Sequence, residues 1–173
     1  MREQWIRLSL AVTILVAFAI SGCGGLSYNT QVAPEIENSK YHSFSILAMK
    51  PATVTPALYD LLKTLVEDEL VRKGYRKTTQ DNASVKILLL ARLDDVLDRT
   101  SYGDTYRKKF DKYKIDKKGS LQVIMFDSAT DDWLWKGEFS GIAKEQYPGQ
   151  SEKSKKRLED AVAKMLREIP VRQ

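Results

Sequence analysis

The chain contains a single cysteine, Cys23, and a single histidine, His42. One cysteine excludes an internal disulfide, and one histidine excludes a zinc site built from several imidazoles. A Ser-His-Asp triad would have to use His42, but this residue follows Tyr41 at the start of a predicted strand, where we expect an exposed structural histidine. No glycine-rich phosphate-binding loop is present. These residues predict no catalytic group, no metal site and no cofactor, and we expect the protein not to be an enzyme.

Two acidic pairs, Asp94-Asp95 and Asp131-Asp132, are the remaining candidates for acid–base or metal chemistry. Adjacent residues of a strand point to opposite faces, so Asp94 and Asp95 should not converge on one ligand. The second pair follows Asp127 in a predicted turn, where such side chains hydrogen bond to nearby backbone groups. Because the spacing of a calcium-binding loop is absent, the turn itself explains these residues.

The strongest binding signal is the segment over residues 99–118, which we call the basic–aromatic segment. It holds eight basic and three acidic residues, with aromatic rings interleaved among the cations. Such a surface suits an anionic glycan, peptidoglycan or phospholipid headgroups, since the cations attract the ligand and the rings stack on it. The alternative is a solvated connection between two strands. The candidate binding residues are Tyr102, Tyr106, Arg107, Lys108, Lys109, Phe110, Lys112 and Tyr113.

Trp133 and Trp135 are two residues apart on a predicted strand, which places them on the same face. We expect Trp135 to pack under a helix, with its indole N–H hydrogen bonded at the rim of the core. Trp133 lies next to the turn, and we include it among the candidate binding residues because it could stack on a sugar or on a partner protein.

The first residues are predicted to form a targeting signal. Basic Arg2 and Arg7 precede an apolar run over residues 8–20, which is too short to span a membrane and is typical of a signal peptide. Small Ser21 and Gly22 then lead to Cys23, an order that resembles a lipoprotein cleavage site. We predict cleavage between Gly22 and Cys23 and lipidation of Cys23, with acyl chains such as palmitate. An uncleaved N-terminal anchor is the alternative.

This signal, together with the net charge, also indicates where the protein is located and which partners it can bind. Gly24 rather than aspartate follows Cys23, which by resemblance to bacterial sorting patterns favours the outer membrane, facing the periplasm. The net charge of +5 is spread along the chain. In the cell envelope it favours lipid headgroups, anionic glycan or an envelope protein as partners, and not nucleic acid. The membrane itself is a partner through Cys23.

The predicted elements form one α+β domain of about 130 residues. Hairpins dominate the pattern, so we expect a mainly antiparallel sheet with two helices packed on one face, in the order β-α-β-β-β-β-α. Helix boundaries are predicted from Thr55-Pro56, Gly74, Ser151 and Pro170. The predicted organisation is a signal peptide over 1–22, the lipidated cysteine with a flexible tether over 23–40, and the domain over 41–173. Within the tether, a short edge strand near residues 31–32 is an open alternative.

Several motifs, in this order, resemble the bacterial envelope lipoproteins of the domain of unknown function 4136 family. Residues 38–44 are similar to its opening F-x-x-Y-x-T-F motif, although Asn38 replaces the usual aromatic residue. Gly74-Tyr75 with residues 83–87 resembles its A-D-x-x-V strand. Residues 119–127 with the Trp135–Gly137 pair resemble its hairpin ending in W-x-G, and residues 161–170 its closing helix. The resemblance implies a compact envelope lipoprotein with no established activity and no catalytic residues to transfer.

The leading hypothesis is therefore a non-enzymatic binding or assembly module in the cell envelope, with the basic–aromatic segment and Trp133 as its contact surface. One alternative is a small-ligand carrier or enzyme with a pocket between the helices and the sheet. Another is a structural accessory protein whose contacts are made by a sheet edge.

Overall fold

The computed structural model of the chain describes residues 26–38, 40–47, 49, 53–97, 115–143 and 149–172. These residues form six strands and two α-helices, together with three short 3-10 turns at Pro34–Glu37, Gln80–Asn82 and Leu166–Glu168. The strands and helices in chain order are β1 (Leu26–Val32), β2 (Ser43–Ile46), α1 (Pro56–Arg72), β3 (Arg76–Lys77), β4 (Val85–Leu97), β5 (Ile115–Asp127), β6 (Trp133–Ala143) and α2 (Glu152–Met165).

The six strands make one mixed sheet in the order β1-β6-β5-β4-β2-β3. The three pairs that join β1, β6, β5 and β4 are antiparallel, whereas β2 pairs in parallel with β4 and with β3. Parallel neighbours require a crossover connection, and α1 supplies it between β2 and the two strands that follow. The predicted α+β, single-domain, mainly antiparallel fold is confirmed, with one additional strand at its start.

That additional strand is β1, and it corrects the predicted extent of the tether. β1 pairs with β6 from Leu26 opposite Gly141 to Val32 opposite Trp135. The following 3-10 turn buries Ile36 completely. The tether predicted over 23–40 is therefore wrong for residues 26–37, and the folded domain begins at β1 rather than at residue 41. The physical reason is that an edge strand exposes most of its surface, so its polar composition resembles that of a linker.

Both helices begin where local signals predict, and α1 also ends there. α2 ends at Met165 and passes into the 3-10 turn at Leu166–Glu168, short of the predicted end at Pro170. The Thr55 hydroxyl accepts a hydrogen bond from the Leu58 amide at 3.3 Å, and Pro56 occupies the first helical position of α1. Gly74 follows α1 with φ +89°, a left-handed conformation that glycine adopts without strain. The Ser151 hydroxyl caps α2 by accepting from the Ser154 amide at 3.1 Å.

The two helices cover one face of the sheet, which we call the inner face. Side chains on this face alternate along the central strands and are almost fully buried, in one cluster with apolar residues of both helices. Gly137 allows the tightest contact, since a Cβ there would overlap the Trp135 ring. The strand residues of the cluster include Val85, Ile87, Leu89, Leu121, Val123, Met125, Trp135 and Phe139.

Candidate interaction surfaces

The opposite side of the sheet, which we call the outer face, carries no helix among the described residues. Its central positions are apolar and half-buried: Leu88 lies opposite Ile124, and Phe126 lies opposite Lys86. Half-buried polar side chains, such as that of Lys136, surround these apolar residues. This face is therefore a mixed apolar and cationic surface, open to solvent or to a partner.

Trp133 belongs to this outer face, and Trp135 does not. A register shift between Met125 and Phe126 places Trp133 opposite Phe126 and Trp135 opposite Met125. Trp133 is 48% exposed, whereas Trp135 is completely buried. The prediction that both rings share a face is wrong, because a β-bulge adds one residue and reverses the alternation. Trp133 remains accessible as a candidate stacking residue.

The buried Trp135 also differs from its prediction in detail. Its ring packs over Gly137 and near Met165 of α2, as a core residue should. However, its Nε1 atom has no hydrogen-bond partner within the described ranges. The expected hydrogen bond at the core rim is therefore absent there.

The other predicted site residues lie outside the described ranges. These are Gly22 and Cys23, and all eight candidates of the basic–aromatic segment between residues 102 and 113. The structure does describe where that segment joins the sheet, namely after Leu97 at the end of β4 and before Ile115 at the start of β5. Of its last cations, Lys117 forms an ion pair with Asp95 at 2.8 Å, and Lys118 is exposed.

Different predicted features lie at the two ends of the sheet. At one end, which we call the proximal end, β1 begins opposite Gly141, and Gly141 lies opposite Gly119 of β5. β4 finishes and β5 starts at the same end. At the other end, which we call the turn end, β5 passes through the 127–132 turn into β6 and Trp133. Thirteen residues of β5 separate the two ends, or about 40 Å.

The described residues next to two predicted features therefore lie at the proximal end, whereas the third feature lies at the turn end. Leu26 is only the third residue after Cys23, a span of at most about 10 Å. The basic–aromatic segment also leaves and rejoins the sheet there. Trp133 lies at the turn end, so the structure does not place it beside the points where the segment joins the sheet.

The turn end is organised by Asp127, which is 5% exposed. Its carboxylate accepts hydrogen bonds from the Lys40 ammonium at 2.9 Å, the buried Tyr41 hydroxyl at 2.7 Å and the Ala129 amide at 2.8 Å. Lys40, Tyr41 and Ala129 together hold the pKa of Asp127 well below its usual range. Burial and the Asp127 carboxylate raise the pKa of Tyr41. Both oxygens of this carboxylate accept hydrogen bonds that fix the turn.

The remaining titratable candidates have structural partners too. The Nδ1 atom of exposed His42 lies 2.8 Å from the Lys40 carbonyl oxygen. Asp94 lies opposite Lys118, and the neighbouring Asp95 lies opposite Lys117, so the two carboxylates face opposite sides of β4. Across the described ranges, no three residues of the His, Cys, Asp and Glu types are grouped so that they could hold a metal ion.

The β1 edge is longer than the sequence predicts, since the suggested strand covered only residues 31–32. β1 has seven residues, LSYNTQV, without a charge or a proline. The opposite edge, β3, has only two residues, both cationic and exposed, and Lys77 pairs with Glu67 at 2.7 Å. The alternation of Leu26, Tyr28 and Val32 with polar residues was the available signal for β1.

Comparison with known families and structures bears on this architecture. A family described as Domain of unknown function (DUF4136) matches residues 28–171, which start within β1 and end after α2. The chain belongs to the DUF4136 family. This confirms the resemblance seen in the ordered motifs. No curated protein matches the chain by sequence.

Three solved structures are similar to this DUF4136 chain. A PDZ domain protein from Parabacteroides distasonis is 14% identical with a TM-score of 0.60, over 86% of this chain and 37% of that one. The chain thus spans little more than a third of that protein. PelC from Paraburkholderia phytofirmans, a dodecamer, is 12% identical with a TM-score of 0.56, over 86% of this chain and 99% of PelC. A DUF4136 protein from Bacteroides thetaiotaomicron has 12% identity and a TM-score of 0.49, over 84% and 96% of the respective chains. At these identities the likeness to the first two structures shows the fold alone.

The two helices of this DUF4136 domain are elements of its globular core. Neither of them, within the ranges described, is long and apolar enough to cross a bilayer.

Proposed function

We propose that this DUF4136 protein is a non-enzymatic binding or assembly module of the bacterial cell envelope, attached to the outer membrane through lipid on Cys23. The observation that carries the proposal is the position of β1. A folded strand starts at the third residue after the cysteine of the lipoprotein cleavage site. The cleavage signal and the domain therefore adjoin, and the mature protein would be held directly against the headgroups.

The proximal end supports a membrane-facing role for the basic–aromatic segment. The strands that flank the segment, β4 and β5, end and start at the end of the sheet where β1 begins. A basic cluster near an acyl chain adds to membrane attachment, by about 1 kcal/mol per cation next to anionic lipid. Among the ligands that the sequence suggests, this arrangement favours anionic phospholipid headgroups or an anionic glycan at the membrane surface.

The interior favours this role over a ligand carrier or an enzyme. Apolar side chains from both helices and the sheet form one cluster on the inner face, and Val66, Ile87 and Met165 are all 1% exposed or less. A carrier of small molecules needs a concave site with converging polar groups between these layers. Within the described ranges, that space is filled by packed hydrocarbon.

Assembly into an oligomer is the second candidate role, and a structurally similar protein supports it. PelC, which shares the fold at a TM-score of 0.56, is a dodecamer. An open strand edge and an uncovered outer face are surfaces through which a sheet of this kind can associate.

Mass spectrometry of the mature N-terminus tests the anchor. We expect a chain that starts at Cys23 and carries acyl chains, and a Cys23→Ser variant that is not cleaved at this site and carries no acyl chain. An unmodified Cys23 in the mature protein would overturn both the anchor and the proposed location.

A charge-reversal experiment tests the ligand. The triple variant Lys108→Glu, Lys109→Glu, Lys112→Glu should bind phosphatidylglycerol vesicles about tenfold more weakly than the wild type, and neutral phosphatidylcholine vesicles equally. The matched control reverses three exposed cations of α2, Lys153, Lys156 and Arg157, with the same change in net charge. Equal losses in both triple variants would show that net charge alone acts, and would refute a role for the segment.

A further inference from the structure

Among the residues that the structure describes, β1 is an open edge that lacks the usual protection of edge strands. Natural sheets blunt their edges with charge, proline, bulges or short length, because unpaired backbone groups invite another strand to pair. β1 has none of these in its seven residues, and its terminal apolar side chains, Leu26 and Val32, are 40% and 42% exposed. The strand is therefore ready to pair on its free side.

The free backbone groups of β1 follow from its pairing with β6. The Ala33 amide donates to the Leu134 carbonyl at 2.8 Å, so Ala33 points its backbone groups toward β6. Hydrogen bonding alternates along an antiparallel strand. Every second residue before Ala33 therefore points to β6 as well, and the intervening residues point their N–H and C=O groups outward. The outward set is Leu26, Tyr28, Thr30 and Val32.

This outward set is self-complementary. When two copies of β1 run antiparallel with Asn29 opposite Asn29, Leu26 lies opposite Val32 and Tyr28 lies opposite Thr30. Each of these pairs joins residues whose backbone groups point outward, so four pairs with two bonds each give about eight backbone hydrogen bonds. The exposed apolar ends cover each other, and an aromatic residue faces a β-branched one, which is a favourable cross-strand pair.

We propose that a second copy of this chain docks on β1, edge to edge and antiparallel, centred on Asn29. The six-stranded sheet then continues into its partner across a two-fold axis that is normal to the sheet. Both anchors reach one membrane when this axis is also normal to the bilayer, with the joined sheet lying along the headgroups. The opposite edge does not compete, because β3 is two residues long and carries Arg76 and Lys77.

Other registers of the same pair are weaker. A shift by one residue puts outward backbone groups opposite groups that already bond to β6, and it breaks the ladder. A shift by two residues restores the ladder but leaves two residues at one end of each seven-residue strand without a partner. The register centred on Asn29 is the one that uses the whole of β1.

The inner-face contacts of Tyr28 hold β1 in place before any partner arrives. Its ring lies 6.2 Å from that of Phe139, and the Lys164 ammonium of α2 lies 4.4 Å above it. A strand that is already ordered loses less conformational entropy on pairing.

The interface is nevertheless small, below the roughly 800 Å² per partner of a standard complex. The inference rests on the proposed function only for the high local concentration of copies held on one membrane.

Disulfide trapping in the native membrane tests the register. Asn29 is exposed and would lie in a non-hydrogen-bonded pair, where Cα atoms are about 4.5 Å apart and a disulfide fits. Mild oxidation of Asn29→Cys should give a covalent dimer. Ser27→Cys is the matched control on the same face of β1, because two copies of residue 27 would be separated by about 13 Å.

Two further samples make the test specific. Ser27→Cys and Gln31→Cys, co-expressed with different tags, should form a mixed dimer, since residue 27 faces residue 31 in this register. The wild type, with Cys23 alone, should give none. We expect at least about tenfold more dimer from Asn29→Cys than from Ser27→Cys. Equal yields, or no dimer from Asn29→Cys, would overturn the pairing.

A backbone variant separates pairing from folding. Thr30→Pro in the Asn29→Cys background removes an outward amide that makes no bond to β6, and an edge strand tolerates such a proline. It should abolish the disulfide dimer while the circular dichroism spectrum is retained, and Thr30→Val should leave the dimer intact. A dimer that persists with proline in a folded chain would refute strand pairing.

The outcomes also separate this inference from the proposed function. A lipidated Cys23 without dimer removes the pairing and leaves the anchor. A dimer with an unmodified Cys23 removes the anchor and leaves the pairing.

Discussion

The two edges of the sheet differ in how far they expose backbone groups that could pair with another strand. At β3, the strand is only two residues long and both residues are cationic, with Lys77 in an ion pair with Glu67. Another chain therefore has too few free backbone groups to pair with. At β1, seven uncharged residues leave half of their backbone groups free. Since the same sheet protects one edge and not the other, the open edge is best understood as a contact surface. The following changes should break or sharpen that contrast, in order of decreasing effect.

The largest effect is expected where β1 meets the core. Trp135 lies opposite Val32 and is completely buried, so Trp135→Ala should leave a cavity and lower the free energy of unfolding by about 3–5 kcal/mol. Trp133→Ala is the control two residues away, and it should change stability by less than about 1 kcal/mol because its ring is exposed. Urea unfolding of both variants measures this difference. Equal losses would contradict the bulge that turns the two rings to opposite faces.

The next effect concerns the contact that ties the start of the domain to the β5–β6 turn. Asp127→Asn removes the charge that the Lys40 ammonium and the Tyr41 hydroxyl stabilise, and it should cost about 2 kcal/mol at pH 7. The folded-state pKa of Asp127 is depressed, so its stabilisation is complete above the unfolded pKa of about 4 and is lost as the pH falls below it. The difference between wild type and variant should therefore shrink progressively in urea titrations as the pH is lowered below about 4.

Asp131→Asn is the matched control for this pH dependence. The Asp131 side chain is 76% exposed, and asparagine tolerates its left-handed φ of 60°. We expect a change within about 0.5 kcal/mol at every pH. If Asp131→Asn showed the larger and more pH-dependent loss, Asp127 would not be the group that fixes the turn.

A smaller effect is expected from giving β1 the kind of protection that β3 has. Asn29→Lys places like charges opposite each other in the proposed pair, and it should lower the co-purification of two differently tagged copies about tenfold. Stability should change by no more than about 0.5 kcal/mol, because the side chain is exposed. Gln31→Lys, which would face Ser27, should lower co-purification less. A greater loss from Gln31→Lys would contradict the register.

The smallest effect should come from the protected edge. Lys77→Thr removes the ion pair with Glu67 and should cost about 0.5 kcal/mol, since the lysine side chain is 55% exposed. Thermal unfolding at low and high salt measures it, and the difference from wild type should shrink with added salt. A loss above about 2 kcal/mol would mean that β3 depends on this pair for folding and not only for protection.

Local signals predicted most of the fold. The caps at Thr55 and Ser151 and the left-handed Gly74 act within a few residues, so they can be recognised without a tertiary structure. The central strands were predicted from their near-continuous apolar residues, which are buried on the inner face and half-buried at the centre of the outer face.

Long-range pairing explains what was missed. β1 acquires its structure only from β6, more than a hundred residues later in the chain, and Ser27 bonds to Ser140 across that distance. The bulge that separates Trp133 from Trp135 likewise arises between two strands and has no marker within β6. For the candidate site, the sequence indicated Trp133 but not its separation from the proximal end, since that separation depends on the strand register.

The pairing of β1 with β6 also sets an order of events during export. If the chain is exported and lipidated as proposed, its first strand follows the anchor closely and has no neighbour until residues 133–143 have followed. Such distant contacts form slowly, because a long loop must close before they are made. We therefore expect the cleavage and acylation enzymes to meet Cys23 on an extended, unpaired chain, and the sheet to close afterwards, when modification of the cysteine is already complete.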